Sequence, residues 1–195
     1  MSGHGPQRRA LLRLSRIAAV WALLYGVYRL YYAAGGAAGM LGTPRSHDQW
    51  IRINAVAGVL LLVFAVLPVA LVNAWSNARA RPVLLALCWI VTVACVSHAA
   101  IGIVQRIASL TGTLTIDYPF WQTIDRREAD LQALFFNEPW FLVQGLLWAA
   151  IAWHGSLWSS PRRRRWLGSA AAATLVATAT GIATAYGVIE RTIIG

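Results

Sequence analysis

Negative charge is scarce in this chain. Seven aspartates and glutamates stand in 195 residues against seventeen basic residues, all of them arginine. Cysteine is sparser still: Cys88 and Cys95 lie on one expected helix, about 10 Å apart along its axis, whereas a disulfide needs Cα atoms about 4.4–6.8 Å apart. They cannot bridge within that helix. Catalytic signatures are missing too. There is no glycine-rich phosphate loop, Cys-x-x-Cys, His-Glu-x-x-His or nucleophile elbow, so no motif names a reaction.

What the chain has in quantity is apolar residues, 58% of the total with a mean hydropathy of +0.56, against about 45–50% in a soluble domain. The net charge of +10 sits in short arginine clusters flanking apolar stretches. A nucleic-acid binder would spread its basic groups over a polar face, so that partner class is set aside. The composition indicates one integral membrane domain over residues 1–195, with the lipid bilayer as its constant partner.

Five stretches are long enough to cross a hydrocarbon core, which takes about 20 helical residues. They fall near 17–38, 53–75, 83–105, 139–158 and 166–188. Alternate connecting segments then carry ten arginines with no acid, or six arginines with all seven acids. The positive-inside bias puts the arginine-only set in the cytoplasm, the N-terminus in and the C-terminus out. The fold class is an all-α polytopic bundle of five helices in the plasma (inner) membrane. A signal peptide is the rival reading of the first span, since Gln7 to Leu12 loosely echo a twin-arginine start; the apolar run is too long for that and contains Arg29. Trp50, Trp75, Trp140, Trp158 and Trp166 fall near span ends, at headgroup level. Within the outer loop 106–138, Trp121, Ile124, Leu131, Leu134 and Phe135 share one helical face, which predicts a short interfacial helix. Asp125, Glu128 and Asp130 alternate with arginines there and read as a solvated, charge-balanced face.

Arg29 is the anomaly, because a guanidinium inside a span costs about 2.5–3.5 kcal/mol even on a lenient scale. Counted along the helices, Arg29, His98 and Gln144 rise about 18, 22 and 21 Å from the inner boundary, one shared depth. Tyr25 and Tyr32 flank Arg29 on one face of the first helix, and Glu138, opening the fourth span, is the nearest counter-ion. These six residues outline a candidate site, facing outward, for a small amphipathic, lipophilic or anionic ligand or for a partner protein. The competing explanation is that Arg29 snorkels, or pairs with Glu138 and backbone carbonyls, only to hold helices together. An enzyme or transporter subunit using Arg29, His98 and Glu138 is the alternative function.

No cofactor is expected. His154 lies about 16 Å from His98 along the membrane normal, too far to share a haem iron, and Cys95 with His98 gives two metal ligands where a closed zinc site wants four. In the last span Ala177, Gly181 and Ala185 recur every four residues, a pattern for close helix packing within the chain or in a homo-oligomer through 166–188.

Residues 28–36 (Tyr-Arg-Leu-Tyr-Tyr-Ala-Ala-Gly-Gly) and 137–148 (Asn-Glu-Pro-Trp-Phe-Leu-Val-Gln-Gly-Leu-Leu-Trp) resemble an uncharacterised family of small bacterial multi-pass membrane proteins, a domain of unknown function. By that resemblance Tyr31, Gly35, Gly36, Glu138, Pro139, Trp140 and Phe141 are motif positions. Tyr32 stands where the family often has tryptophan, and Gln144 where glycine is common. The resemblance covers roughly 15–155 and leaves the fifth span as an addition to a four-helix unit. It implies the membrane class and brings no activity with it.

Overall fold

A computed structural model describes residues 4–74, 77, 79–156 and 163–187 of the chain. Their order is α1 (His4–Ala33), β1 (Gly42–Pro44), α2 (His47–Ala74), α3 (Arg81–Leu110), β2 (Trp121–Ile124), α4 (Arg126–Gln132), a π turn (Ala133–Asn137), α5 (Glu138–Ser156) and α6 (Arg163–Ala185). Among these residues five helical stretches are long and apolar enough to cross a membrane: Arg8–Ala33, His47–Ala74, Arg81–Leu110, Arg126–Gly155 and Arg164–Ala185. The expected five-helix bundle is therefore present. Trp75, Trp158, Arg162, Glu190 and Arg191, used above for span ends and charge bias, lie outside the described residues.

Two of the differences from the boundaries read off hydropathy bear on the site. The first helix stops at Ala33 rather than 38 because Gly35 takes φ +88°, which an L side chain rarely adopts. Gly36 N then donates to Tyr31 O and Gly35 N to Tyr32 O, the paired bonds of a Schellman cap. The long outer loop is also shorter than 106–138, since α3 runs on to Leu110 and helix resumes at Arg126. Asp125 caps that start, its carboxylate accepting from Glu128 N at 2.9 Å. α4, the π turn and α5 follow one another without a connecting loop. Trp121 and Ile124, read as helical, lie on a strand instead.

That strand pairs antiparallel with β1, Gly42 opposite Ile124 and Pro44 opposite Trp121, tying the α1–α2 connection to the α3–α4 connection. Asp125 N to Leu41 O at 3.1 Å and Arg45 Nε to Trp121 O at 3.0 Å extend the tie. The ribbon marks one end of the bundle. α2 packs along α1, α3 packs on α5 and α6, and α1 joins the two groups through α5. Away from the ribbon the halves close on an apolar cluster that includes Leu11, Leu71, Leu85, Trp148 and Ile151. In α6, Gly181 faces Ile101 of α3, whose side chain fills the place of a Cβ there, so this member of the small-residue stripe packs within the chain.

Candidate ligand-binding site below the ribbon

α3 carries His98, Gly102, Arg106 and Ser109 at intervals that keep them on one stripe of the helix. α1 does the same with Trp21, Tyr25, Arg29 and Tyr32. The two stripes and the π turn enclose the polar interior of the ribbon end.

Nearest the ribbon, Asp130 is the centre of a buried network. Its Oδ1 accepts from Tyr118 Oη at 2.6 Å and from Arg106 Nη1 at 3.1 Å, and its Oδ2 from Ser109 Oγ at 2.5 Å. Arg106 Nη1 also donates to Tyr118 Oη at 2.9 Å. The solvated reading of the acidic face holds for Asp125 and Glu128, which are exposed, and fails for Asp130, which is 2% exposed. The cap at Asp125 sets the phase of α4 so that Ala129, Asp130 and Ala133 turn inward. Burial, and donation to the Asp130 carboxylate, push the Tyr118 hydroxyl up to about 12, while the Arg106 guanidinium pulls the other way.

The aromatic residues of α1 have structural partners. Tyr25 Oη donates to Asn137 Oδ1 at 3.1 Å; its ring stacks on Trp140 at 5.3 Å, and Trp140 stacks on Trp21 at 4.1 Å. Trp21 Nε1 donates to Trp140 O at 3.0 Å, so Trp140 joins α1 to α5 rather than only marking a span end. Tyr32 Oη donates to Ala38 O at 3.0 Å and holds the α1 cap. Each such ring pair adds about 0.5–1.5 kcal/mol beyond its buried area.

Arg29 has no such partner. Among the described residues its guanidinium makes no hydrogen bond or ion pair. Glu138, the expected counter-ion, is engaged elsewhere: its carboxyl is packed onto Gly102, with Oε2 3.7 Å from His98 Nε2 and no hydrogen-bond partner of its own. Arg29 also lies one turn from the end of α1, about 6 Å below Ala33, nearer the ribbon than the hydropathy boundary implied.

Two cavities meet at Arg29. An upper one of about 190 Å³ lies under the ribbon, lined by Tyr28, Tyr32, Trp50, Tyr118 and Trp121 among others. A lower one of about 430 Å³ is lined by Tyr25, Ala57, Leu60, Leu61, Phe64, His98, Glu138 and Phe141. Arg29, Arg106, Ala133 and Asn137 line both. The site thus brings together Arg29, Tyr25, Tyr32, His98 and Glu138. Gln144 is not part of it: buried in α5, it lines neither cavity, and both polar atoms of its amide lack a partner.

Arg106, Tyr118, Asp130 and Asn137 belong to the site and were not read from the sequence as members of it. The four-residue spacing from His98 through Gly102 to Arg106 was the available signal for one of them. Asn137 had none. It reaches the interior beside Glu138 because the wider π turn re-aims neighbouring positions, a feature frequent at functional sites.

No curated protein and no solved structure matches the chain. Residues 21–148 match a family described as "Protein of unknown function (DUF3995)", a segment that takes in Tyr25 to Tyr32, His98, Arg106, Asp130 and the first half of α5 and leaves α6 outside. With five membrane-length apolar helices and a family match over most of its length, the chain is a multi-pass membrane protein and belongs to the DUF3995 family.

Proposed function

We propose that the protein binds a small anionic or amphipathic ligand in the cavities below the ribbon, with Arg29 as the anion-recognising group. The observation that carries this is a guanidinium with no ion pair among the described residues, lining both cavities, while the other arginine of the interior, Arg106, is neutralised by Asp130. A cation inside a span without a partner costs up to about 2.5–3.5 kcal/mol at the bilayer centre and less one turn from a helix end, and a bound anion reduces that cost. Arginine suits the task because its planar fork meets a carboxylate or phosphate with two parallel hydrogen bonds.

In this reading the protein lies in the inner membrane with the ribbon facing outward, as the arginine-only segments require. A reporter fused after Gly195 then scores as external; a cytosolic reporter removes the outward assignment. The ligand itself is tested by native mass spectrometry of the protein in mild detergent. A co-purifying anion should be present on the wild type and lost on Arg29→Gln, with thermal stability unchanged. Loss of stability with no change in bound molecules would make Arg29 a packing residue.

A second reading has its own support. His98 and Glu138 sit 3.7 Å apart in the same cavity as Arg29, an acid–base pair beside a cation, which is an arrangement a membrane enzyme or transporter subunit could use. Turnover or transport that survives His98→Ala and Glu138→Gln would dismiss it.

A further inference from the structure

The class of the ligand and its way in follow from how the cavities are walled, and this inference rests on the anion-binding reading above. Gly26 and Gly58 let α1 and α2 close on each other. A Cβ on Gly26 would stand 3.3 Å from Leu61 Cβ, and Leu30 fills the place of one on Gly58. α3 is drawn instead onto α5 and α6, where Val96 packs against Gly145. α2 has no comparable packing on α3, so a seam between these helices remains at the ribbon end, and the lower cavity lies in it.

The exposure of the lining residues shows which side is open. Tyr25 and Glu138 form the back wall, 4% and 5% exposed. Leu60 of α2 and the side chain of His98 of α3 form the rim, 54% and 58% exposed. His98 lies about 18 Å below the end of α3 at Leu110, a depth that faces acyl chains in a hydrocarbon core about 30 Å thick. Toward the ribbon, Met40, Leu41, Trp121 and Ile124 line the upper cavity, the smaller of the two at about 190 Å³. From the ribbon side a ligand meets the smaller cavity of about 190 Å³, whereas an anion carrying an alkyl chain meets the larger, apolar-walled seam of about 430 Å³.

We infer that the site takes a single-chain anionic amphiphile laterally from the bilayer, its carboxylate or phosphate head at Arg29 and its chain against Ala57, Leu60, Leu61 and Phe64 of α2. A volume of about 430 Å³ is that of a site for one small ligand, within the usual range of about 300–1,000 Å³. The same head chemistry could be supplied by a soluble anion, and the experiment separates the two sources.

The full chain in mild detergent is titrated with stearate and dodecyl phosphate, and separately with acetate, inorganic phosphate and stearyl alcohol, with adducts read by native mass spectrometry. One of the two charged amphiphiles should bind. Arg29→Gln should weaken it roughly 10- to 100-fold, the loss of a charge-assisted contact, with partial recovery in Arg29→Lys. Leu60→Trp, which fills the rim without touching Arg29, should weaken it as well while leaving the melting temperature unchanged. If acetate or inorganic phosphate binds as tightly as the amphiphiles and Leu60→Trp has no effect, lateral entry is overturned and the anion site stands. If stearyl alcohol binds equally well, if Arg29→Gln changes nothing, or if no probe binds, both readings fall.

Discussion

The carboxyl group of Glu138 occupies the space that a side chain on Gly102 would need. α3 and α5 therefore approach closely at one level, and the acid is held toward His98 instead of Arg29. Gly102→Ala should displace the carboxyl and destabilise the protein by about 1–3 kcal/mol, the usual range for overpacking. Glu138→Ala in the same chain should recover most of that loss. A double-mutant cycle followed by thermal denaturation in detergent measures the coupling, and additive effects would show that the two positions do not compete for space.

Asp130 accepts three hydrogen bonds, from Arg106, Tyr118 and Ser109, while almost fully buried. Removing the acid leaves Arg106 as an uncompensated interior cation, so Asp130→Ala should cost about 3–5 kcal/mol. Ser109→Ala removes one bond to a charged acceptor and should cost about 1.5–3 kcal/mol. Unfolding free energies from denaturant titration in mixed micelles give the ranking. Equal losses would mean that the ion pair adds nothing to the hydroxyl contacts.

Tyr118 gives this network a dependence on alkaline pH. Its hydroxyl is pushed up to about 12, burial acting first and the Asp130 carboxylate second. A raised pKa means that the folded state holds the proton more tightly than the unfolded chain does. The stability it contributes is complete below about pH 10, the ordinary tyrosine value, and is lost as pH rises from there through about 12. Melting curves across that window should fall more steeply for the wild type than for Tyr118→Phe. Parallel curves would show that another group carries the alkaline loss.

Hydropathy and charge made the five crossings legible, because lipid imposes length and apolarity on each span directly. The polar site was only partly so. Arg29 stood out as a costly group in an apolar run, His98 by its matching depth and Glu138 as the nearest counter-ion, and the structure places them around one cavity. Arg106 was missed because the third span was closed at 105, whereas the helix continues to Leu110. One more turn moves that arginine from a loop into the stripe of His98 and Gly102. Asp130 was misread because charge pattern alone does not give the rotational phase of a short helix, which here depends on the Asp125 cap. Gln144 was included on depth alone, and depth fixes a level but not a facing direction.

The end of α1 was legible in a signal that hydropathy passes over, the glycine pair after Ala34. The two glycines serve different purposes, and this separates their variants. Gly35 supplies φ +88°, with no atom within 4 Å of where its Cβ would stand, so Gly35→Ala should cost only the backbone strain of about 1–2 kcal/mol. Gly36 has no such φ; the ring of Tyr31 lies where its Cβ would be, and Tyr31 Oη accepts from Ala38 N at 2.9 Å. Gly36→Ala must therefore move the ring and break that bond, adding about 1 kcal/mol to the steric cost. Replacing the ring as well, in Gly36→Ala with Tyr31→Leu, should relieve the steric part, whereas Tyr31→Leu should leave the Gly35→Ala penalty unchanged. Thermal denaturation of the two glycine variants, of each combined with Tyr31→Leu, and of Tyr31→Leu alone tests this directly. Relief by Tyr31→Leu in both backgrounds would mean that the two glycines answer to one constraint, and the separate assignment of ring space to Gly36 would have to be withdrawn.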